Sequence, residues 1–258
     1  MPHARDELVM DVLRSSGGTS VAELAEVLDV GEATVRRTLQ RLAREGRVVR
    51  TYGGAAAAES FPGHAGGRHD PLLPQKRAIG LAAATLVEDG STIALSSGST
   101  ILELGRRLRD RNLTVITNAL DVANVLLDAP GIELVVLGGV VLPGMHSLRG
   151  HLAEEAMRDL RADTVFMGAS AIDLERGFLT EHIREIAVDR ALRTMAREAV
   201  VLADASKFDT VAPGFMFGFE QVGTLVTDGR VRPDHVEALE ARGTRVVVAK
   251  EGVQAQAR

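Results

Sequence analysis

The stretch from Thr34 to Gly54 reads as a basic helix running directly into a short basic hairpin, and it limits the possible folds more sharply than any other segment. Between Gly31 and Tyr52 six arginines stand against Glu32 and Glu45, a local balance of +4 in a chain whose net charge is −5. A surface that reverses the sign of its own protein usually has a polyanion to meet. Ordinary solvated helix faces carry charge as well. What separates the two readings is the apolar pattern around the arginines.

That pattern begins at Ser20-Val-Ala-Glu23, a capping box in which the serine oxygen accepts from the backbone of residue 23 and the Glu23 carboxylate returns the bond. Val21, Leu24, Ala25 and Leu28 follow at helical spacing, and Asp29-Val30-Gly31 breaks the pattern at a turn. A second helix is predicted from Glu32 to Glu45. At about 100° per residue, Val35, Leu39 and Leu42 share one side. Ala33, Arg37, Gln40 and Arg44 lie opposite, flanked by Thr34, Arg36 and Arg41. Ahead of both helices, Leu8, Val9, Val12 and Leu13 supply the buried face of a first helix that Gly17-Gly18 ends.

Three short helices, with a tight turn before the third and arginines on its free face, make a helix-turn-helix. After Gly46 the period changes: Arg47-Val-Val-Arg-Thr51 is β-branched and extended, and Gly53-Gly54 is a predicted hairpin turn. The hairpin is the wing of a winged helix, with Arg47 and Arg50 placed to touch phosphates. The partner this implies is double-stranded DNA, met by Ala33, Thr34, Arg36, Arg37, Gln40, Arg41, Arg44, Arg47 and Arg50. A winged helix that binds protein is the rival reading.

Composition narrows the rest. The chain contains no cysteine, which removes disulfides, thiolate metal sites and cysteine nucleophiles together. Its seven histidines form no pair at i, i+4, so a metal site is not expected, and no motif for another cofactor is singled out. Aromatic residues make up 3% of the chain, which leaves the core to Val, Leu, Ile and Ala. With no basic-then-apolar leader at the N-terminus and no apolar run of bilayer length, a cytoplasmic protein with no membrane partner is the expectation.

From Ala55 to Gln75 the texture becomes that of a joint, with an alanine run followed by Pro62-Gly63, Gly66-Gly67, Pro71 and Pro74. The predicted organisation is a winged helix over 1–58, a linker over 59–74 and a second domain over 75–258. Beyond Lys76, apolar runs suited to buried parallel strands recur at 92–95, 113–117, 132–137, 164–167, 200–203, 224–227 and 245–249. Amphipathic segments at 76–87, 100–108, 120–127, 152–160, 183–197 and 233–241 lie between several of them. Such alternation predicts an α/β fold, an open and mostly parallel sheet with helices on both faces.

Ligands in such sheets sit beyond the carboxyl ends of the strands, and there this chain repeatedly places small polar residues. Ser96-Ser-Gly-Ser-Thr100 follows the first strand directly before a helix, where backbone N–H groups and hydroxyls can surround a phosphate. Later strands are followed by Asn118, by Gly138-Gly139, by a loop ending at Asp173, and by Asp204-Ala-Ser-Lys207. Each alone is ordinary turn chemistry. Together they describe a polar pocket for a small anion.

Two segments, Val30-Gly-Glu-Ala-Thr-Val-Arg-Arg-Thr-Leu39 and Arg47-Val-Val-Arg-Thr-Tyr-Gly-Gly-Ala55, resemble the DNA-binding signature of DeoR-type bacterial transcriptional regulators. The later motifs resemble that family's C-terminal sensor domain, so the resemblance runs from about Leu8 to Thr227. It implies a fold related to ribose-5-phosphate isomerase and glucosamine-6-phosphate deaminase, and a phosphorylated sugar as effector. The residues it implies at the effector are Ser97, Gly98, Ser99, Thr100, Asn118, Gly138, Gly139, Asp173, Glu185 and Lys207. It adds Arg68 and Lys76 at the joint. The chain departs from the family pattern at four points. Gly31 replaces a serine N-cap, at a cost of a few tenths of a kcal/mol on the order expected for such a change. Thr38 and Ser96 each stand where aspartate is usual, and Asp189 replaces a lysine.

The function these readings imply is a repressor of sugar-metabolism genes that works as a dimer or tetramer, because one winged helix covers little DNA. The rival from another class is a sugar-phosphate isomerase or deaminase with an appended DNA-binding domain. It would need a carboxylate base, for which Asp173, Glu185 and Asp204 are the candidates.

Overall fold

The computed structural model describes residues 2–16, 19–44, 47–51, 54–57, 70–142 and 145–250. They belong to two compact units, residues 1–70 and residues 71–258.

In the smaller unit α1 (Pro2–Ser16), β1 (Thr19–Ser20), α2 (Val21–Val27) and α3 (Glu32–Arg44) precede a hairpin of β2 (Val48–Thr51) and β3 (Gly54–Ala57). The capping box forms as its sequence requires: Ser20 Oγ accepts from Glu23 N at 3.1 Å, and Glu23 Oε2 accepts from Ser20 N at 2.8 Å. These bonds, the backbone one foremost, hold the Glu23 carboxyl below its ordinary pKa. Val9, Met10, Leu13, Val21, Leu24, Val35, Leu39, Leu42 and Val48 form one core.

Two predictions change here. Leu8 is 54% exposed, because the buried stripe of α1 is Asp6, Val9, Met10 and Leu13, at i, i+3, i+4 and i+7. Gly53 lies outside the described residues, and Gly54 lies within β3, paired with Thr51. Its small size serves a close approach instead: β1 pairs with β3, and a Cβ on Gly54 would lie 2.2 Å from the Thr19 carbonyl oxygen.

The larger unit alternates. α4 (Leu73–Ala84) leads into β4 (Thr92–Leu95), α5 (Ser99–Arg107), β5 (Leu113–Thr117), α6 (Leu120–Leu126) and β6 (Ile132–Val136). A hairpin of β7 (Val140–Leu142) and β8 (Ser147–Arg149) precedes α7 (His151–Arg158) and β9 (Ala162–Gly168). Next come β10 (Ala171–Asp173), β11 (Gly177–Thr180), α8 (Ile186–Met195), β12 (Ala196–Leu202) and β13 (Gly214–Phe217). β14 (Thr224–Asp228), α9 (Pro233–Glu240) and β15 (Arg245–Ala249) follow.

All seven apolar runs become strands of one parallel sheet, in the order β15-β14-β12-β9-β4-β5-β6. Ala94, Val165, Met167, Ala199 and Val201 share a core with Met157 of α7 and with Val188 and Leu192 of α8. Their chain neighbours Ile93, Leu95, Phe166, Val200 and Leu202 are buried as well, on the opposite face. Burial on both faces is why these strands read as unbroken apolar runs.

Beside this sheet, β10, β11 and β13 form a small antiparallel one. Three phenylalanines gather at it. The Phe178 ring lies 5.7 Å from that of Phe217 and 5.2 Å from that of Phe219, centroid to centroid.

The helix starting near Lys76 in the sequence reading begins at Leu73 instead, with Pro74 in its first turn, where a missing N–H leaves no intrahelical bond unmade. Residues 73–74 therefore belong to the helix and not to the linker. The segment 183–197 is divided into a 3₁₀ turn (Ile183–Glu185), α8 and the start of β12, because Ala196 adopts φ −104°, ψ 148° and turns extended. Among the described residues, no helix is long and apolar enough to cross a membrane.

Candidate functional site

On α3 the residues opposite the core are presented outward. Ala33, Arg36, Arg37 and Gln40 are exposed, while Thr34 and Thr38 are half-buried. Gly31 closes the first turn through its backbone, its carbonyl accepting from Thr34 N at 2.9 Å and from Val35 N at 3.2 Å. Arg36 pairs with Glu32 one turn earlier at 2.7 Å, with both side chains half or more exposed. Such a pair is worth little, so the guanidinium can be redirected to a phosphate at small cost.

Two arginines assigned to DNA are otherwise engaged. Arg41 donates to the buried Asp6 of α1, whose side chain is 3% exposed. It is the counter-charge of a core carboxylate, which fixes its position. Arg47 donates to Glu7 at 2.6 Å and is 32% exposed, so a phosphate would have to compete with that partner. The side chains of Arg44 and Arg50, like Arg68, lie outside the described residues.

In the larger unit the strand order reverses at β4. The chain builds outward through β5 and β6, then returns to lay β9 along the other edge of β4, with Ile93 opposite Thr164 and Leu95 opposite Phe166. A crevice opens beyond the carboxyl ends of two strands that part in this way. It is occupied here by a cavity of about 280 Å³ lined by Ser96, Ser97, Gly98, Ser99 and Thr100 from the loop after β4, and by Gly168, Ala169 and Ser170 after β9.

Ser96 ties the two loops together. Its backbone N–H donates to Phe166 O at 3.0 Å, and its Oγ accepts from Gly168 N at 3.3 Å. Gly98 holds φ +128°, a region that resists a side chain, and turns the chain into α5. The first-turn N–H groups of that helix have no intrahelical acceptor and present partial positive charge to the cavity mouth. Two cations join them, Lys76 from α4 and Lys207 from the 3₁₀ turn after β12 (Ala205–Asp209). Hydroxyls, helix N–H groups and ammonium groups thus converge on one volume, the donor set a phosphate requires.

The remaining wall is acidic. Glu185 is buried, lines the cavity, and accepts a short hydrogen bond from the Ser147 hydroxyl of β8. Asp189 lines it one helical turn further on. Desolvation, with a smaller repulsion from Glu185, pushes the Asp189 carboxyl up to about 7. Glu181 and His182, from the end of β11, complete this side and are paired at 3.3 Å.

Four residues expected at the effector do not line the cavity. Asn118 is buried and locks β8 in place: its Nδ2 donates to Leu148 O at 3.2 Å and its own carbonyl accepts from Leu148 N at 2.7 Å. Gly138 and Gly139 lead into the β7–β8 hairpin. There Gly139, at φ +138°, leaves room for the Arg149 backbone, whose carbonyl oxygen a Cβ would meet at 2.6 Å. Asp173 caps a turn, its Oδ1 accepting from Glu175 N at 2.9 Å and from Arg176 N at 3.1 Å.

Of the three carboxylates weighed as a catalytic base, Glu185 lines the cavity. Asp173 does not, and the buried Asp204, also absent from the lining, caps the 3₁₀ turn through Ser206 N at 3.1 Å. Thr180, Glu181 and His182 went unanticipated because β11 is a short strand in a separate sheet. The run Phe178-Leu-Thr180 after Gly177 was its one local signal.

Comparison with known proteins agrees with this two-part layout. Residues 5–61 match the DeoR-like helix-turn-helix domain, and residues 73–229 match the DeoR C terminal sensor domain. A protein named for repression of the aga operon in Escherichia coli O157:H7 is 31% identical, over 96% of this chain and 94% of its own. The transcriptional repressor AccR of Agrobacterium fabrum is 32% identical, over 88% of this chain and 90% of its own. The lactose phosphotransferase system repressor of Lactococcus lactis is 30% identical, over 90% and 93% respectively. Ribose 5-phosphate isomerase A from Methanocaldococcus jannaschii superposes on 52% of this chain and 53% of its own at 21% identity and a TM-score of 0.39, too partial a likeness to carry a statement about function. With both domain matches in chain order and full-length relatives at this level of identity, the chain belongs to the DeoR family of helix-turn-helix transcriptional regulators.

Proposed function

We propose that this protein is a repressor of sugar-metabolism genes whose operator affinity is set by a phosphorylated sugar bound at the β4–β9 crevice. The observation that carries the reading is the convergence of the Ser97–Thr100 loop, the α5 N-terminus, Lys76 and Lys207 on one cavity. Relatives named as repressors, one of them of a lactose phosphotransferase system, support the same direction. Arg36, Arg37 and Gln40 of α3 make the operator contacts, with Ala33 and Thr34 beside the groove and Arg44, Arg47 and Arg50 on the phosphates. A dimer or tetramer presents two such helices to a two-fold operator. The effector needs only to bind one arrangement of the DNA-binding units better than another; the difference in affinity is the coupling.

The experiment is a thermal-shift screen of phosphorylated sugars repeated in an operator-binding assay. A ligand that stabilises the protein and also changes operator affinity supports the reading. Conversion of a phosphorylated sugar to product at a measurable rate would replace it with an enzymatic one.

A further inference from the structure

The cavity is built with two chemically opposite ends, and the acidic end is only partly satisfied from within the protein. Glu185 and Asp189 are four residues apart across the start of α8, so one helix face brings both carboxylates to the cavity wall. Glu185 is 6% exposed. One of its oxygens, Oε1, is taken by the Ser147 hydroxyl. Among the described residues no donor reaches its Oε2, and none reaches the carboxylate of Asp189. Both groups face the cavity, so the donors they lack within the protein must come from solvent or from a ligand.

Resting on the sugar-phosphate reading of this pocket, we propose that the effector is a phosphorylated amino sugar whose ammonium sits between Glu185 and Asp189 while its phosphate rests on the Ser97–Thr100 loop. An ammonium supplies three N–H donors and one positive charge, matching the oxygens left open. A neutral hydroxyl supplies one donor and no charge. A sugar acid would set a third carboxylate against the two already there, and a bisphosphate would add more charge still. A divalent metal is a poorer occupant, because among the described residues no group of three or more His, Cys, Asp or Glu side chains is placed to hold one. The raised pKa of Asp189 has the same origin: the carboxylate is desolvated beside Glu185 and lacks a cation.

The test uses the full-length protein and compares ligands that differ at one group. Glucosamine 6-phosphate, glucose 6-phosphate and 6-phosphogluconate are titrated calorimetrically beside inorganic phosphate, and the galacto pair of amine and hydroxyl is added to separate charge from stereochemistry. Within at least one pair the amine binds about tenfold or more tighter than the hydroxyl, as one charge-assisted contact predicts, and the sugar acid binds weakest. Asp189→Asn, close to isosteric, brings that ratio to within about threefold. Glu185→Gln serves as the second variant should the first fail to fold. Equal binding of amine and hydroxyl in both pairs overturns the inference alone, as does a preference that survives both substitutions. If no phosphorylated ligand binds, inorganic phosphate included, the sugar-phosphate reading falls and takes the inference with it.

Discussion

The Ser147 hydroxyl, fully buried on β8, donates to Glu185 Oε1 at the wall of the cavity. β8 is in turn fixed by Asn118, which both donates to and accepts from Leu148. Asn118 thus holds the strand whose Ser147 contacts the cavity wall, without lining the cavity itself.

Ser147→Ala leaves a buried carboxylate oxygen without its donor. The expected cost is about 1–3 kcal/mol of folding stability, with weaker effector binding because Glu185 is freed to move. Denaturant unfolding and effector titration on the same variant measure both. A loss of stability with unchanged effector affinity would separate Glu185 from the ligand.

Arg37 and Arg41 are one helical turn apart on α3 yet should behave oppositely. Arg37 is exposed, so Arg37→Ala should leave stability within about 0.5 kcal/mol and cost about 1–3 kcal/mol of operator binding if it reads a base. Arg41→Ala leaves Asp6 buried and unpaired, and up to about 3 kcal/mol of stability should go, at the lower end for such a pair because Arg41 is 37% exposed. Thermal unfolding beside an operator titration at two salt concentrations distinguishes the two roles. Removing Arg36 and Arg37 together should also flatten the salt dependence.

The contrast between these arginines shows where the sequence was legible. Charge and helical period placed six arginines around one helix and its wing, but period alone cannot tell a ligand-seeking cation from a counter-charge. Asp6, which Arg41 contacts, is thirty-five residues away in the chain and is a polar residue on the buried stripe of α1. That disguise also moved the apparent register of α1 onto Leu8. The central parallel strands are easier, because burial on both faces leaves an unbroken apolar run. Within the pocket, the Ser97–Thr100 loop is contiguous and was visible as a motif. The acidic wall joins β8, β11 and α8 across large separations, and no local pattern joins them.

Asp189 sets a pH dependence with a definite sign. Its folded pKa of about 7 lies above the ordinary carboxylate value, so the folded state holds a proton that the unfolded state releases. Stability from this group is fully present below about pH 4 and is lost as pH rises toward 7, after which the loss levels off. Glu185, Glu181, His182, Lys76 and Lys207 line the same cavity and are the charged or titratable groups that face it. Asp189→Asn removes the charged state, so the variant should gain on the wild type progressively from pH 4 to 7 and hold that lead at pH 8. Urea unfolding at four pH values measures the gap. A constant gap would mean that the carboxyl titrates normally.

We further expect a fragment beginning at Asp70, which keeps α4 whole, to fold and bind effector without binding DNA. Starting at Pro74 would cut the first turn of that helix. Circular dichroism and effector titration of the two fragments check this; an unfolded Asp70 fragment would show that the sensor cannot stand alone.

If phosphate capture at the β4–β9 crevice governs DNA binding, operator affinity measured with and without effector must change its response in folded Lys207→Ala and in Ser99→Ala with Thr100→Ala. Each lost charge-assisted bond should cost roughly 1.5–3 kcal/mol of effector binding and shift the response about tenfold or more to higher concentration. The predicted result is wild-type operator affinity in the absence of effector and little or no change at an effector concentration just sufficient for the wild-type response. A full wild-type response to effector in both variants would contradict the account.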